Sequence, residues 1–173
     1  LSKRDVIVPL GIPELIDRDF NKTFNNNLAI LFMGLLNSTK GEGYILEALN
    51  KLKKDGIEVN LNIAGKFETQ EYEEKFFGKV KSYGLTNQVR YLGVITGETK
   101  MKAFRESDIF CFPSFFVSES FGIVLLEAMQ FKLPIIATKW RGIQSVVKDS
   151  CNGFLVDIKN SDQIFEKIRK FHL

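Results

Sequence analysis

Short runs of consecutive apolar residues alternate along this chain with longer stretches in which apolar residues recur every three or four positions. The short runs, rich in β-branched and aromatic side chains, predict strands over Asp5–Val8, Leu28–Met33, Glu58–Ala64, Val89–Leu92, Ile109–Phe112, Pro134–Thr138 and Phe154–Val156. Between them, Tyr44–Lys54 carries Ile45, Leu49 and Leu52 on one helical face and stops at Asp55-Gly56. A second helix is expected over Gln70–Tyr83, ending at Gly84, and a third over Gly97–Ser107 with Thr96 as its N-cap. Ser161 is the expected cap of a last helix running to about Phe171. Near-continuous apolar strands alternating with helices imply an α/β domain, a parallel sheet covered by helices on both faces. In such sheets ligands bind beyond the carboxyl ends of the strands, so the loops that follow strands are where chemistry is expected.

Composition narrows the choices. At 173 residues the chain is one domain's worth and long enough to bury a full core, and its 45% hydrophobic and 26% charged residues are an ordinary globular balance. The net charge of +3 is small and dispersed, which argues against nucleic acid as a partner. No apolar run approaches the length of a membrane span. The chain opens with neither a leader pattern nor an initiator Met, which suggests an excised fragment, and its sixteen Phe include some expected to face a partner. Cys111 and Cys151 read as an incidental buried residue and a loop thiol, compatible with the reduced cytoplasm. The Asn-x-Ser/Thr matches at Asn21 and Asn37 carry no weight without a secretory route. The single histidine, His172, excludes a Ser-His-Asp or Cys-His centre or a histidine-rich metal site assembled within this domain.

Two carboxylates and one lysine stand out. Glu119 and Glu127 have seven residues between them, and Glu127 interrupts an apolar run that continues into Ala128-Met129. A carboxylate there needs hydrogen-bond donors or a wet groove, because burying it unpaired is expensive. Glu119 precedes Phe121-Gly122, where a loop is expected to feed a helix whose first N–H groups, those of Phe121, Gly122 and Ile123, would attract an anion. Earlier, Gly34 and Gly41 bracket Lys40 between a strand and a helix, an arrangement that lets backbone and ammonium approach a phosphate. Phosphate donors flanked by hydroxyl acceptors suit a nucleotide sugar. A Glu pair also serves as acid and base in glycosidases, but a glutamate on the inner side of such a helix suits hydroxyl binding better. An unrelated pair of surface carboxylates is the plain alternative.

Ile109-Phe110-Cys111-Phe112-Pro113-Ser114, Glu119-Ser120-Phe121-Gly122, Leu126-Glu127-Ala128-Met129, Leu133-Pro134-Ile135-Ile136-Ala137-Thr138 and Asn152-Gly153-Phe154-Leu155-Val156 resemble, in order and spacing, the retaining family-four or "group 1" glycosyltransferases of GT-B fold. The resemblance covers nearly the whole chain, from Val8-Pro9-Leu10-Gly11-Ile12 onward, and is to that family's C-terminal, Rossmann-like half. It implies a nucleotide-sugar (donor) binding domain over residues 1–173, with the N-terminal acceptor domain absent. By the same resemblance Lys40 clamps the donor diphosphate beside Gly34 and the 121–123 backbone. Glu119 lies at the transferred sugar as the catalytic carboxylate, Glu127 binds ribose and Val94 offers backbone to the base. Two departures matter: Leu35 stands where the family's clamping arginine is usual, and Arg141, in a loop unlike the family's, is a candidate replacement. The implied reaction is sugar transfer from a nucleoside diphosphate sugar with retention of configuration, without cofactor and without metal, no Asp-x-Asp standing at an expected strand end to hold one. The expected setting is cell-surface polysaccharide or glycolipid synthesis in the cytoplasm, with any peripheral association with the inner face of the membrane running through the missing domain. A non-catalytic nucleotide-sugar-binding module and a GT-B epimerase remain alternatives.

Overall fold

The computed structural model describes residues 11–16, 21–22 and 28–172; the strand expected over 5–8 and residues 8–10 of the opening motif lie outside the described residues. Six strands, β1 (Ala29–Met33), β2 (Asn60–Ala64), β3 (Val89–Gly93), β4 (Ile109–Phe112), β5 (Ile135–Thr138) and β6 (Gly153–Val156), form one sheet in the order β3-β2-β1-β4-β5-β6. Every pairing is parallel. Each crossover carries a helix: α1 (Glu42–Lys54), α2 (Gln70–Ser82), α3 (Gly97–Arg105), α4 (Ile123–Gln130) and the short α5 (Ile143–Val146), with α6 (Ser161–His172) closing the series. Strand order runs outward one way from β1 and the other way from β4. Right-handed crossovers therefore send α1 and α2 to one face and α3, α4 and α5 to the other. The reversal between β1 and β4 opens a crevice at their carboxyl ends.

The central strands earn their place by composition. β1, β4 and β5 are buried along their whole length, whereas β3 at the sheet edge carries the exposed Arg90 and Tyr91. Phenylalanines fill the space between layers. Phe32 stacks on Phe112, with ring centroids 6.1 Å apart, and Phe104 of α3 stacks on Phe131 at the end of α4 at 5.1 Å. Such burial removes large apolar areas from water, each ring contributing about 2–3 kcal/mol.

The strands match expectation within two residues at each end, and three helix details differ. α1 begins at Glu42, two residues before Tyr44, because Gly41 in the left-handed region (φ 87°) turns the chain directly into it. Thr96 occupies the N-cap position of α3 without a side-chain capping bond. Ser161 is the first residue of α6 rather than its cap; the Asn160 side chain accepts instead from the Gln163 N–H at 2.9 Å. α5 was not expected, since four residues are too few to show a helical period.

Candidate functional site

Three loops at the carboxyl ends of β1, β4 and β5 lock together. Asn37, buried after β1, accepts through its side-chain oxygen from Thr39 N–H and Lys40 N–H at 3.0 and 3.1 Å, a turn that fixes where Lys40 leaves the backbone. Burial of Asn37 also removes it as a glycan acceptor. The β4 loop is tied to this turn by Phe115 N–H donating to Thr39 C=O at 2.8 Å. The β5 loop follows through Trp140 Nε1, which donates to Phe116 C=O at 2.9 Å. Gly142 lies so close to the β4 loop that a Cβ there would sit 1.5 Å from the Ser120 carbonyl oxygen, so no other residue permits this approach.

Within that frame Lys40 reaches Glu119. Its Nζ lies 2.7 Å from Glu119 Oε2 and 4.6 Å from the Phe116 ring centroid, while the Ser114 hydroxyl donates to the same carboxylate oxygen at 3.0 Å. Both side chains of the pair are largely buried, 13% and 10% exposed. A second pair stands across the crevice: Lys100 Nζ of α3 lies 2.6 Å from Glu127 Oε1 of α4. Between the two pairs is a cavity of about 320 Å³ lined by Met33, Gly34, Lys40, Lys100, Phe112, Glu119, Gly122, Ile123, Val124 and Glu127.

Six of the residues singled out in the sequence therefore meet in one place: Gly34, Lys40, Glu119, Gly122, Ile123 and Glu127. Three do not line the cavity. Phe121 is 43% exposed outside it, because α4 starts at Ile123 with Gly122 in the left-handed region (φ 65°), so the helix N-terminus lies two residues later than Phe121. Val94, at the end of β3, is 70% exposed. Arg141, itself at φ 43°, stands 5.5 Å from the Trp140 ring centroid in the β5 loop. Lys100 was missed in the sequence, since a lysine on an exposed-looking helix carries no local signal of a partner twenty-seven positions later.

A buried carboxylate sits just behind the cavity. Glu42, the first residue of α1, is fully buried and neither of its oxygens has a hydrogen-bond partner. Burial pushes its carboxyl up to about 7, against weaker opposing influences that include the nearby Tyr72 and Lys40. Leu35, Val94, Val117, Phe121 and Ile123, all in or just after loops at the carboxyl ends of strands, are exposed, and of these Ile123 lines the cavity. No helix among the described residues is long and apolar enough to cross a membrane.

Comparison with known proteins places this geometry. The sequence profile of the glycosyl transferases group 1 matches residues 15–172. An uncharacterised glycosyltransferase of Methanocaldococcus jannaschii is 34% identical over 135 residues, which cover 78% of this chain and 33% of that protein. The chain thus spans about a third of the length of this relative. Among solved structures, HepE of Anabaena in complex with UDP-glucose superposes with a TM-score of 0.76 at 26% identity, covering 84% of this chain and 39% of that one. The C-terminal domain of a group 1 glycosyl transferase (LpcC) of Francisella tularensis superposes at 0.73 and 30% identity, covering 84% of this chain and 75% of that one.

Proposed function

The chain belongs to the glycosyl transferases group 1, and on that premise we propose that it is the donor-binding half of a retaining glycosyltransferase, moving a sugar from a nucleoside diphosphate sugar to an acceptor hydroxyl. The observation that carries this reading is the convergence of two lysines, two glutamates and the start of α4 on one cavity at the strand-order reversal. The Lys40 ammonium and the helix N-terminus supply positive charge for a diphosphate, and the carboxylates accept from hydroxyls. Lys40 is the diphosphate clamp, Glu127 binds ribose and Glu119 faces the transferred sugar. With Lys40 and the N-terminus of α4 facing it, the diphosphate can be neutralised without a metal. In the transfer step the bond from the anomeric carbon to the diphosphate oxygen breaks as the acceptor oxygen bonds to the same face. The acceptor proton passes to the departing diphosphate, whose charge Lys40 stabilises.

Lys40 is committed to Glu119. A diphosphate therefore competes for Lys40, and its arrival frees Glu119 for the hydroxyls of the sugar. The exposed apolar side chains in loops at the carboxyl edge of the sheet support a second, acceptor-binding domain as their cover, an expectation in keeping with a match to a solved C-terminal domain and to a third of a longer relative. Polysaccharide or glycolipid synthesis on the cytoplasmic side is the setting we favour, with any membrane attachment provided by that other domain.

One observation favours a second reading. Leu35, 40% exposed, stands where the family's clamping arginine is usual, which suits a module that holds a nucleotide sugar without transferring it. Calorimetric titration of the chain with UDP, GDP and ADP tests the shared part: one of them should bind, and binding of none would overturn both readings. Joined to its acceptor domain, the transferase should lose turnover on Glu119→Ala. Turnover unchanged by that substitution would remove Glu119 from the reaction.

A further inference from the structure

The cavity contains one group that no motif announced. Lys100 leaves α3 one turn from its start, crosses to α4 and places Nζ 2.6 Å from Glu127 Oε1. The other cations of α3 behave differently: Lys102 pairs with Glu106 and Arg105 with Glu98, both on or at the end of their own helix and largely exposed. Pairs of that kind contribute little. The Lys100–Glu127 contact joins two separate helices, has its glutamate only 15% exposed, and lies on the wall of the cavity. A glutamate has three rotatable side-chain bonds, and ordering it only when a ligand arrives would cost affinity. An ammonium already bonded to Oε1 fixes the carboxylate beforehand.

We infer that Lys100 is a positioning residue for nucleotide recognition: it holds Glu127 in the orientation that accepts from the ribose hydroxyls, and so sets the preference of the site for ribonucleotides. The inference rests on the ribose role proposed for Glu127. Its contribution runs through that carboxylate, and this separates it from Lys40, whose partner in the complex is the phosphate itself. Removing Lys100 should therefore weaken only those ligands that have hydroxyls for Glu127 to read.

The test is a set of calorimetric titrations with whichever of UDP, GDP or ADP the chain binds and with the 2′,3′-dideoxy form of the same nucleotide. Lys100→Met should weaken the ribonucleotide about tenfold and leave the dideoxy form nearly unchanged. Lys100→Arg should recover most of the loss. In a Glu127→Gln background, Lys100→Met should add nothing further. Circular dichroism melts of each variant separate misfolding from lost recognition. If wild type binds both nucleotides alike, the ribose role of Glu127 fails and Lys100 falls with it. If wild type discriminates between them but Lys100→Met weakens both equally, or adds its full effect to Glu127→Gln, the positioning role alone is overturned.

Discussion

Two concavities at opposite ends of the sheet differ in almost every respect. At the amino ends of β5 and β6 lies a groove of about 810 Å³, walled by Met129, Leu133, Pro134, Phe154 and Phe171, with Cys151 and Lys132 at its edge. At the carboxyl ends of β1 and β4 lies the cavity of about 320 Å³ with its two lysine–glutamate pairs. The larger is lined mostly by apolar side chains, and Lys132 is the one charged residue among them. The smaller gathers side chains from four separate segments, the β1 loop, α3, the β4 loop and α4, and each ammonium meets a carboxylate. Local packing leaves a gap of any size; bringing four charges from distant positions to one wall requires the whole topology. Convergent charge, and not volume, marks the site.

The carboxyl end also carries a cost that the amino end lacks, and the largest expected effect follows from it. The Glu42 carboxyl ionises near 4.5 when exposed and near 7 in the fold, where burial raises it. Between those values the folded state keeps a proton that the unfolded chain has released, so stability falls as pH rises through this window and levels off above it. The full difference is up to about 3 kcal/mol. Glu42→Gln should abolish this slope in urea unfolding at pH 5 and pH 8 and be the more stable protein at pH 8; identical slopes for both proteins would show that Glu42 is not buried as an acid. Next in size is the clamp. Lys40→Ala removes a charge-assisted hydrogen bond of about 1.5–3 kcal/mol, and nucleoside diphosphate affinity should fall about ten- to a hundredfold by calorimetry. Equal affinities would break the contrast between the two concavities. A smaller gain is expected from Leu35→Arg, which adds a guanidinium near the diphosphate beside the Lys40 ammonium; no tightening would mean that Lys40 and the N-terminus of α4 already saturate it. The smallest effect belongs to the other end: alkylating the exposed Cys151 should leave nucleotide affinity unchanged, and a loss would show the large groove to be coupled to the site.

Much of this was legible in the sequence, and for a physical reason. The central strands were found because a parallel strand buried on both faces must be apolar at every position, as Ile109–Phe112 is. Gly34, Lys40, Glu119, Gly122 and Ile123 were singled out because each sits in a loop or helix start whose residue types are constrained locally, and Glu127 because it interrupts an apolar run; all six line the cavity. What stayed hidden depends on neighbours remote in sequence. Lys100 acquires meaning only when α3 and α4 are packed side by side, and Glu42, next to a helix start, reads as a favourable surface acid until its burial is known. Phe121 was placed inside the site because the left-handed turn at Gly122, which delays α4 to Ile123, leaves no trace in the apolar pattern.

The central claim is that a nucleoside diphosphate occupies the cavity between the two lysine–glutamate pairs. Backbone amide chemical shifts of the isotope-labelled chain, followed as UDP, GDP or ADP is added, test it most directly. The account predicts the largest changes at Gly34, Lys40, Gly122, Ile123 and Val124, smaller ones at Lys100 and Glu127, and none at Gly153 or Phe154. Changes centred on Gly153 and Phe154, or none with any of the three nucleotides, would contradict it.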